Sequence, residues 1–124
     1  MIVGIGVDIV NVGRVARLIN TNPRFTEKVF TPNEASYANS KASPAQSYAA
    51  RFAAKEAFMK ALGTGWDKGV SWRDMEILNT DSGKPELYLS GITKQLAEQM
   101  GVLNIQISLS HEKEYAIAQV VLEG

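Results

Sequence analysis

Apolar spacing along this chain switches between a strand-like and a helix-like period, and the switches divide it into elements. Residues 2–10, IVGIGVDIV, form the β-branched run of a buried strand. In NVGRVARLINT, Val12, Val15, Ala16 and Ile19 recur at helical spacing, and PRFTEKVF predicts a short second helix. TPNEASYAN opens a third, with Thr31 as N-cap, Pro32 at the first helical position and Glu34 closing a capping box. SPAQSYAARFAAKEAFMKALG repeats the signal: Ser43 caps, Pro44 starts, Gln46 closes the box, and Gly63 ends a helix of about five turns. Ala50, Ala53, Ala54, Ala57 and Ala61 fall on one stripe of small side chains, which lets another element approach closely.

The second half predicts strands more often. VSWRDMEILN reads as a strand, TDSGKP as a turn, ELYL as a short strand and SGITKQLAEQMG as a helix running from Ser90 to Gly101. LNIQISLS alternates, with Leu103, Ile105, Ile107 and Leu109 on one face and Gln106, Ser108 and Ser110 on the other. HEKE is a turn and YAIAQVVLE a last strand, so the end of the chain predicts a hairpin. This order implies one α+β domain over residues 1–124, an antiparallel or mixed sheet with a long central helix packed on it.

Composition narrows the chemistry. The chain has 124 residues, 45% of them apolar, enough for a core. Thirteen basic residues balance thirteen acidic ones, which argues against bulk binding to nucleic acid or an anionic membrane. A charged partner must be met by a local patch. The absence of cysteine excludes disulfides, thiolate metal sites and a cysteine nucleophile. The apolar start lacks a basic flank, is interrupted by Asp8 and is too short to span a bilayer, so a soluble, cytoplasmic protein is expected.

Several residues carry candidate chemistry. Asp8 lies inside a strand, where a carboxylate must be paired, hydrogen-bonded or metal-bound. It either caps the following helix or serves a ligand. Gly4 and Gly6 beside it leave room for something to approach the backbone. Glu56 and Lys60 are one helical turn apart, the spacing of a surface ion pair worth about 0.3–0.5 kcal/mol. Their neighbours Phe52 and Met59 do not suit a solvated face. Gly63, Thr64 and Gly65 either end the helix or offer backbone N–H groups to an anion, without the spacing of a Walker A loop. Gly83, Lys84 and Pro85 form a turn that aims Lys84 or holds a ligand. His111 is the one histidine, so a zinc site of usual spacing is not expected, and no nucleophile elbow is present. Two carboxylates from separate elements, with lysines and glycine turns, suit a magnesium ion shared with phosphate.

Four segments together resemble one family. GIGVDIV (4–10), RFAAKEAFMKALGTG (51–65), GKP (83–85) and SLSHEKEYAIA (108–118) are similar to the motifs of holo-acyl-carrier-protein synthase, the short bacterial type of 4′-phosphopantetheinyl transferase. The resemblance implies the transferase fold of that family. It implies transfer of the phosphopantetheine arm of coenzyme A to a serine of apo acyl carrier protein, with release of adenosine 3′,5′-bisphosphate, in fatty acid biosynthesis. It implies Mg²⁺ held by Asp8 and Glu56, with Lys60 reaching the same phosphates and with Glu56, directly or through a metal-bound water, or Asp8 as the base. Lys55, Gly63, Gly83, Pro85 and His111 match positions near coenzyme A. Arg14 and Arg24 match positions that meet the acidic carrier helix, and Arg17 and Lys28 extend that patch. A homotrimer with sites shared between subunits is implied as well. The chain departs from the family in residues 42–50, ASPAQSYAA, which carry no charge where relatives have a basic cluster for the coenzyme A 3′-phosphate; Lys41 is the nearest cation.

Two other classes remain open at this level. One is a non-catalytic module that binds coenzyme A or the carrier. The other is a magnesium-dependent hydrolase of nucleotide pyrophosphates, which would cleave coenzyme A without an acceptor. An RNA-binding sheet is disfavoured by the zero net charge and by the lack of an aromatic-basic strand motif.

Overall fold

The computed structural model describes every residue except 64, 66 and 67. Its first apolar run is strand β1 (Ile2–Asn11). Asn11 ends the strand and caps the first helix: its side-chain oxygen accepts from the Arg14 backbone N–H at 2.9 Å, opening α1 (Val12–Thr21). Proline in the first turn starts α2 (Pro23–Val29), α3 (Pro32–Asn39) and α4 (Pro44–Leu62). The capping box of α3 is reciprocal. The Glu34 N–H donates to Thr31 Oγ1 at 3.2 Å, and the Thr31 N–H donates to Glu34 Oε1 at 2.9 Å. Then come β2 (Met75–Asn79), β3 (Pro85–Leu89), α5 (Gly91–Gln99), β4 (Asn104–His111) and β5 (Tyr115–Glu123). Among the described residues the strands form two antiparallel sheets, β1-β5-β4 and β2-β3.

Helix α4 is the centre of this α+β fold. Fourteen of its nineteen residues are buried, so it has no broad solvent face. The inner face of the larger sheet, Ala116, Ala118, Val120 and Leu122, is sealed beneath it. Contact with β1 is tight because neither side has bulk. A Cβ on Gly4 would stand 2.1 Å from the Ala61 carbonyl oxygen, and one on Gly6 would stand 2.0 Å from that of Ala57. The alanine stripe and the strand glycines are therefore two halves of one backbone-to-backbone contact. The element that comes close to Gly4 and Gly6 is α4. On β1, Gly6, Asp8 and Val10 face the helix, while Ile5, Val7 and Ile9 point outward and are exposed.

Four local expectations change. Ser43 makes no side-chain cap; its backbone carbonyl accepts from the Gln46 N–H at 3.2 Å, which satisfies the donor the hydroxyl was expected to meet. The strand expected over 70–79 begins only at Met75, because Trp72–Asp74 coil into a 3₁₀ turn whose Asp74 carboxylate accepts from the Thr93 hydroxyl at 3.0 Å. His111 ends β4 rather than opening the turn, since its backbone pairs with Ala116. Leu103 precedes β4 and is exposed, outside the alternation that Ile105, Ile107 and Leu109 keep.

Candidate active site

Four of the expected site residues meet at one edge of α4. Asp8 points from β1 toward the helix. Lys60 Nζ donates to Asp8 Oδ1 and to the Val7 carbonyl, each at 3.0 Å. The ammonium side chain is 55% exposed and the carboxylate 16%, so the pair lies at the rim, with the anion on the inner side. Lys60 is thus paired with Asp8 on the strand and not with Glu56 one turn back, as its spacing predicted. Among the described residues the ion pairs are Lys60–Asp8 and Lys55–Glu34, and Glu56 belongs to neither.

Glu56 is half-buried next to this pair. Burial raises its pKa above the ordinary value, the Asp8 charge raises it further, and Lys60 and Arg14 pull it back. Two carboxylates on rigid, separate elements thus face each other closely enough to repel, with two cations around them. That arrangement fits a divalent cation that accepts hard oxygen donors. Among the described residues no group of three or more acidic or histidine ligands occurs. A pair of carboxylates is the usual protein share for magnesium, which keeps waters and substrate oxygens in its remaining positions.

A second set of expected residues lines a cavity of about 500 Å³ at the other end of α4. Gly83, Pro85 and His111 are in its wall, joined by Lys41. Its helix side is built by Gln46, Ser47, Ala50 and Arg51, and Tyr37 comes from α3. Arg51 and Tyr37 carry no assignment in the sequence reading. For Arg51 the signal was a long cation at the head of RFAAKEAF, set among the alanines of α4. Lys41 lies 4.6 Å and Arg51 4.1 Å from the Tyr37 ring centroid, so one aromatic ring orders both cations.

The two sets stand apart within one chain. Asp8 pairs across β5 with Ala118, which pairs onward with Leu109; Ala116 pairs likewise with His111. Leu109 and His111 are in the cavity wall. Strand β5, with α4 covering its inner face, therefore separates the carboxylates from the cavity, a step of about 10 Å for two strand spacings.

Lys55 is the clear correction. It was expected beside a ligand, and it is wholly buried. Its Nζ donates to Glu34 Oε1 at 2.6 Å, the Val29 carbonyl at 2.6 Å and the Trp72 carbonyl at 3.2 Å. Glu34 is equally buried, and its other oxygen accepts from the Ile77 N–H at 2.8 Å. A buried ammonium is tolerated only when saturated in this way, and the pair ties α2, α3, α4, β2 and the 3₁₀ turn together. Gly63 takes φ +73° and ends α4, its N–H donating to the Met59 carbonyl. Thr64, expected beside it, lies outside the described residues. Arg14 and Arg17 on α1, and Arg24 and Lys28 on α2, are all exposed. Of these, Arg14 reaches the charge field of Glu56.

A family model of the 4′-phosphopantetheinyl transferase superfamily matches residues 4–120. The holo-[acyl-carrier-protein] synthase of Solibacter usitatus is 48% identical over the whole of both chains. The chain belongs to this transferase family, in its holo-acyl-carrier-protein synthase branch, and is an enzyme. Solved structures of the branch share its fold. The Neisseria meningitidis synthase is 37% identical, with a TM-score of 0.90 and full coverage of both chains. The Helicobacter pylori synthase, solved in complex with coenzyme A, is 32% identical, with a TM-score of 0.83, covering 96% of this chain and 99% of that one. The fold that surrounds Asp8 and Glu56 is thus the fold of the family.

Proposed function

We propose that this transferase moves the 4′-phosphopantetheine arm from coenzyme A to a serine of an apo acyl carrier protein in a magnesium-dependent reaction, serving fatty acid biosynthesis in the cytoplasm. The observation that carries the reading is the facing pair Asp8 and Glu56, held on β1 and α4 beside Lys60 and Arg14. A coenzyme A complex of a relative with the same fold supports the donor.

A Mg²⁺ held by the two carboxylates would supply charge neutralisation at the pyrophosphate of coenzyme A. The residues do the rest. The exposed stem of Lys60 lets its ammonium swing from Asp8 to the oxygens of the leaving phosphate, where negative charge grows. Glu56 has a raised pKa and so holds a proton better than an ordinary carboxylate, which suits a base for the serine hydroxyl. Asp8, ion-paired with Lys60, is the rival base. The serine oxygen forms its bond to the β-phosphorus as the bond to the bridging oxygen breaks. The products are phosphopantetheinyl-serine and adenosine 3′,5′-bisphosphate.

The cavity takes the nucleotide end. Lys41 and Arg51 are its two strong cations, and Lys41 is the exposed one, so it is the cation placed to meet the 3′-phosphate. Because β5 and α4 divide the cavity from the carboxylates, a complete site combines the cavity of one subunit with the carboxylates of the next. The outer face of the larger sheet supports such an assembly: Ile5, Val7, Ile9 and Ile117 are all at least 40% exposed and contiguous in register. We assign this face to a homotrimer. The exposed arginines of α1 and α2 form the patch for the acidic carrier.

The reading is tested by following adenosine 3′,5′-bisphosphate release from coenzyme A. Release that begins only when apo carrier is added supports transfer. Equal release without carrier supports the hydrolase reading instead.

A further inference from the structure

The cavity has two walls of different origin, and one side chain joins them. The first wall is α4, presenting Arg51, which is only 3% exposed. Its guanidinium is stacked on Tyr37 and held by the Ser47 hydroxyl, to which Nη1 donates at 3.2 Å. The second wall is the turn between β2 and β3, which contains Gly83 and Pro85. This turn is closed by two backbone bonds of 2.8 Å, from the Gly83 N–H to the Thr80 carbonyl and from the Thr80 N–H to the Lys84 carbonyl. Gly83 adopts φ +90°, a conformation that L side chains rarely reach.

Asn79, the last residue of β2, stands between the walls and lines the cavity. Its Oδ1 accepts from Arg51 Nη2 at 2.6 Å, and its Nδ2 donates to the Gly83 carbonyl at 2.9 Å. The chemistry fixes the orientation of this amide. A guanidinium can only donate and a carbonyl can only accept, and the amide meets both at once with separate atoms, an oxygen that accepts and a nitrogen that donates. We propose that Asn79 is a positioning residue for coenzyme A: it locks the Gly83–Pro85 turn onto Arg51 and thereby sets the width of the cavity that receives the nucleotide. The proposal rests on coenzyme A being the donor substrate of this transferase.

The obvious alternative is that Asn79 only stabilises the turn. Steady-state kinetics and calorimetric binding of coenzyme A separate the two on Asn79→Leu and Asn79→Asp. Asn79→Leu removes both bonds at similar size. It is expected to raise KM and Kd for coenzyme A about tenfold, the worth of a charge-assisted bond. Meanwhile kcat stays within about twofold, and KM for the carrier does not move. Asn79→Asp keeps the acceptor for Arg51 and sets an oxygen against the Gly83 carbonyl. It cuts the turn arm and adds a negative charge beside an anionic ligand, so KM for coenzyme A is expected to rise severalfold, with a part of the rise that added salt does not remove, and with little change in melting temperature. Variants with wild-type KM and Kd, or with activity lost only in proportion to the unfolded fraction, overturn the proposal. Failure of the underlying reading looks different: the unmodified protein itself would then neither bind coenzyme A nor transfer from it.

Discussion

Lys55→Met puts the largest internal charge pair to the test. Its Nζ makes three hydrogen bonds, to Glu34, Val29 and Trp72, in a site with no exposed surface. Methionine fits the volume and removes the charge. Glu34 is then left buried without its counter-charge, still met by the Thr31 and Ile77 backbone N–H groups, while two carbonyls lose a donor. Removing one partner of a buried pair costs about 3–5 kcal/mol. A chain of this length has a total stability on the order of 10 kcal/mol, so the variant folds. Its urea midpoint should fall by about 2 M, and its melting temperature by roughly 10–20 °C. Adding Glu34→Gln removes the stranded anion but sets an NH2 group against the Thr31 or Ile77 N–H, so the double variant should lose less than the sum of the two single losses. Equilibrium urea denaturation followed by circular dichroism measures all three. A Lys55→Met midpoint within about 0.5 M of the original, or single losses that simply add in the double variant, would refute this pairing. A raised KM for coenzyme A with unmoved denaturation would return Lys55 to the ligand.

Glu56→Gln should reduce transfer by at least the roughly 10²–10⁴-fold expected of a base, without weakening the fold. The sign follows from its raised pKa: the fold disfavours the ionised form, so the original protein gains stability as Glu56 protonates and loses it as pH rises through the folded value. In EDTA the variant should therefore melt no lower at neutral pH, and its advantage should vanish below the ordinary carboxyl value of 4.5. Gly6→Ala forces a methyl into the Ala57 carbonyl, a clash of backbone with backbone that costs at least about 3 kcal/mol, read by the same denaturation assay. Arg24→Glu should raise KM for the carrier severalfold with KM for coenzyme A unchanged, and added salt should narrow the difference. Val7→Lys on the outer sheet face should shift the protein to monomer in light scattering and lower transfer with it; a persistent trimer would exclude this face.

Local periodicity was a good guide where one residue pattern settles one element. The alanine stripe and the strand glycines each announced a close approach, and the structure shows that they announced each other. The Thr31 capping box formed because Glu34 is drawn inward by Lys55 and by the Ile77 N–H as well as by the cap. At Ser43 the same motif lacks such help, and the backbone takes over the bond. Lys55 and Lys60 illustrate the limit. Both are lysines of one helix with a carboxylate within reach, and the family resemblance pointed both toward a ligand. One turns into the core to meet a glutamate 21 positions away, and the other turns out to meet an aspartate 52 positions away. Only tertiary pairing distinguishes them. Arg51 and Asn79 escaped for the same reason: their partners come together only when β2 docks on α4.

The most direct test of the account is the intact mass of an apo acyl carrier protein after incubation with this protein, coenzyme A and Mg²⁺, beside an EDTA control. The account predicts a gain of one phosphopantetheine arm on the carrier serine, absent in EDTA and absent for Glu56→Gln. A carrier that stays apo while the folded protein binds coenzyme A would contradict it, and so would a gain that survives EDTA.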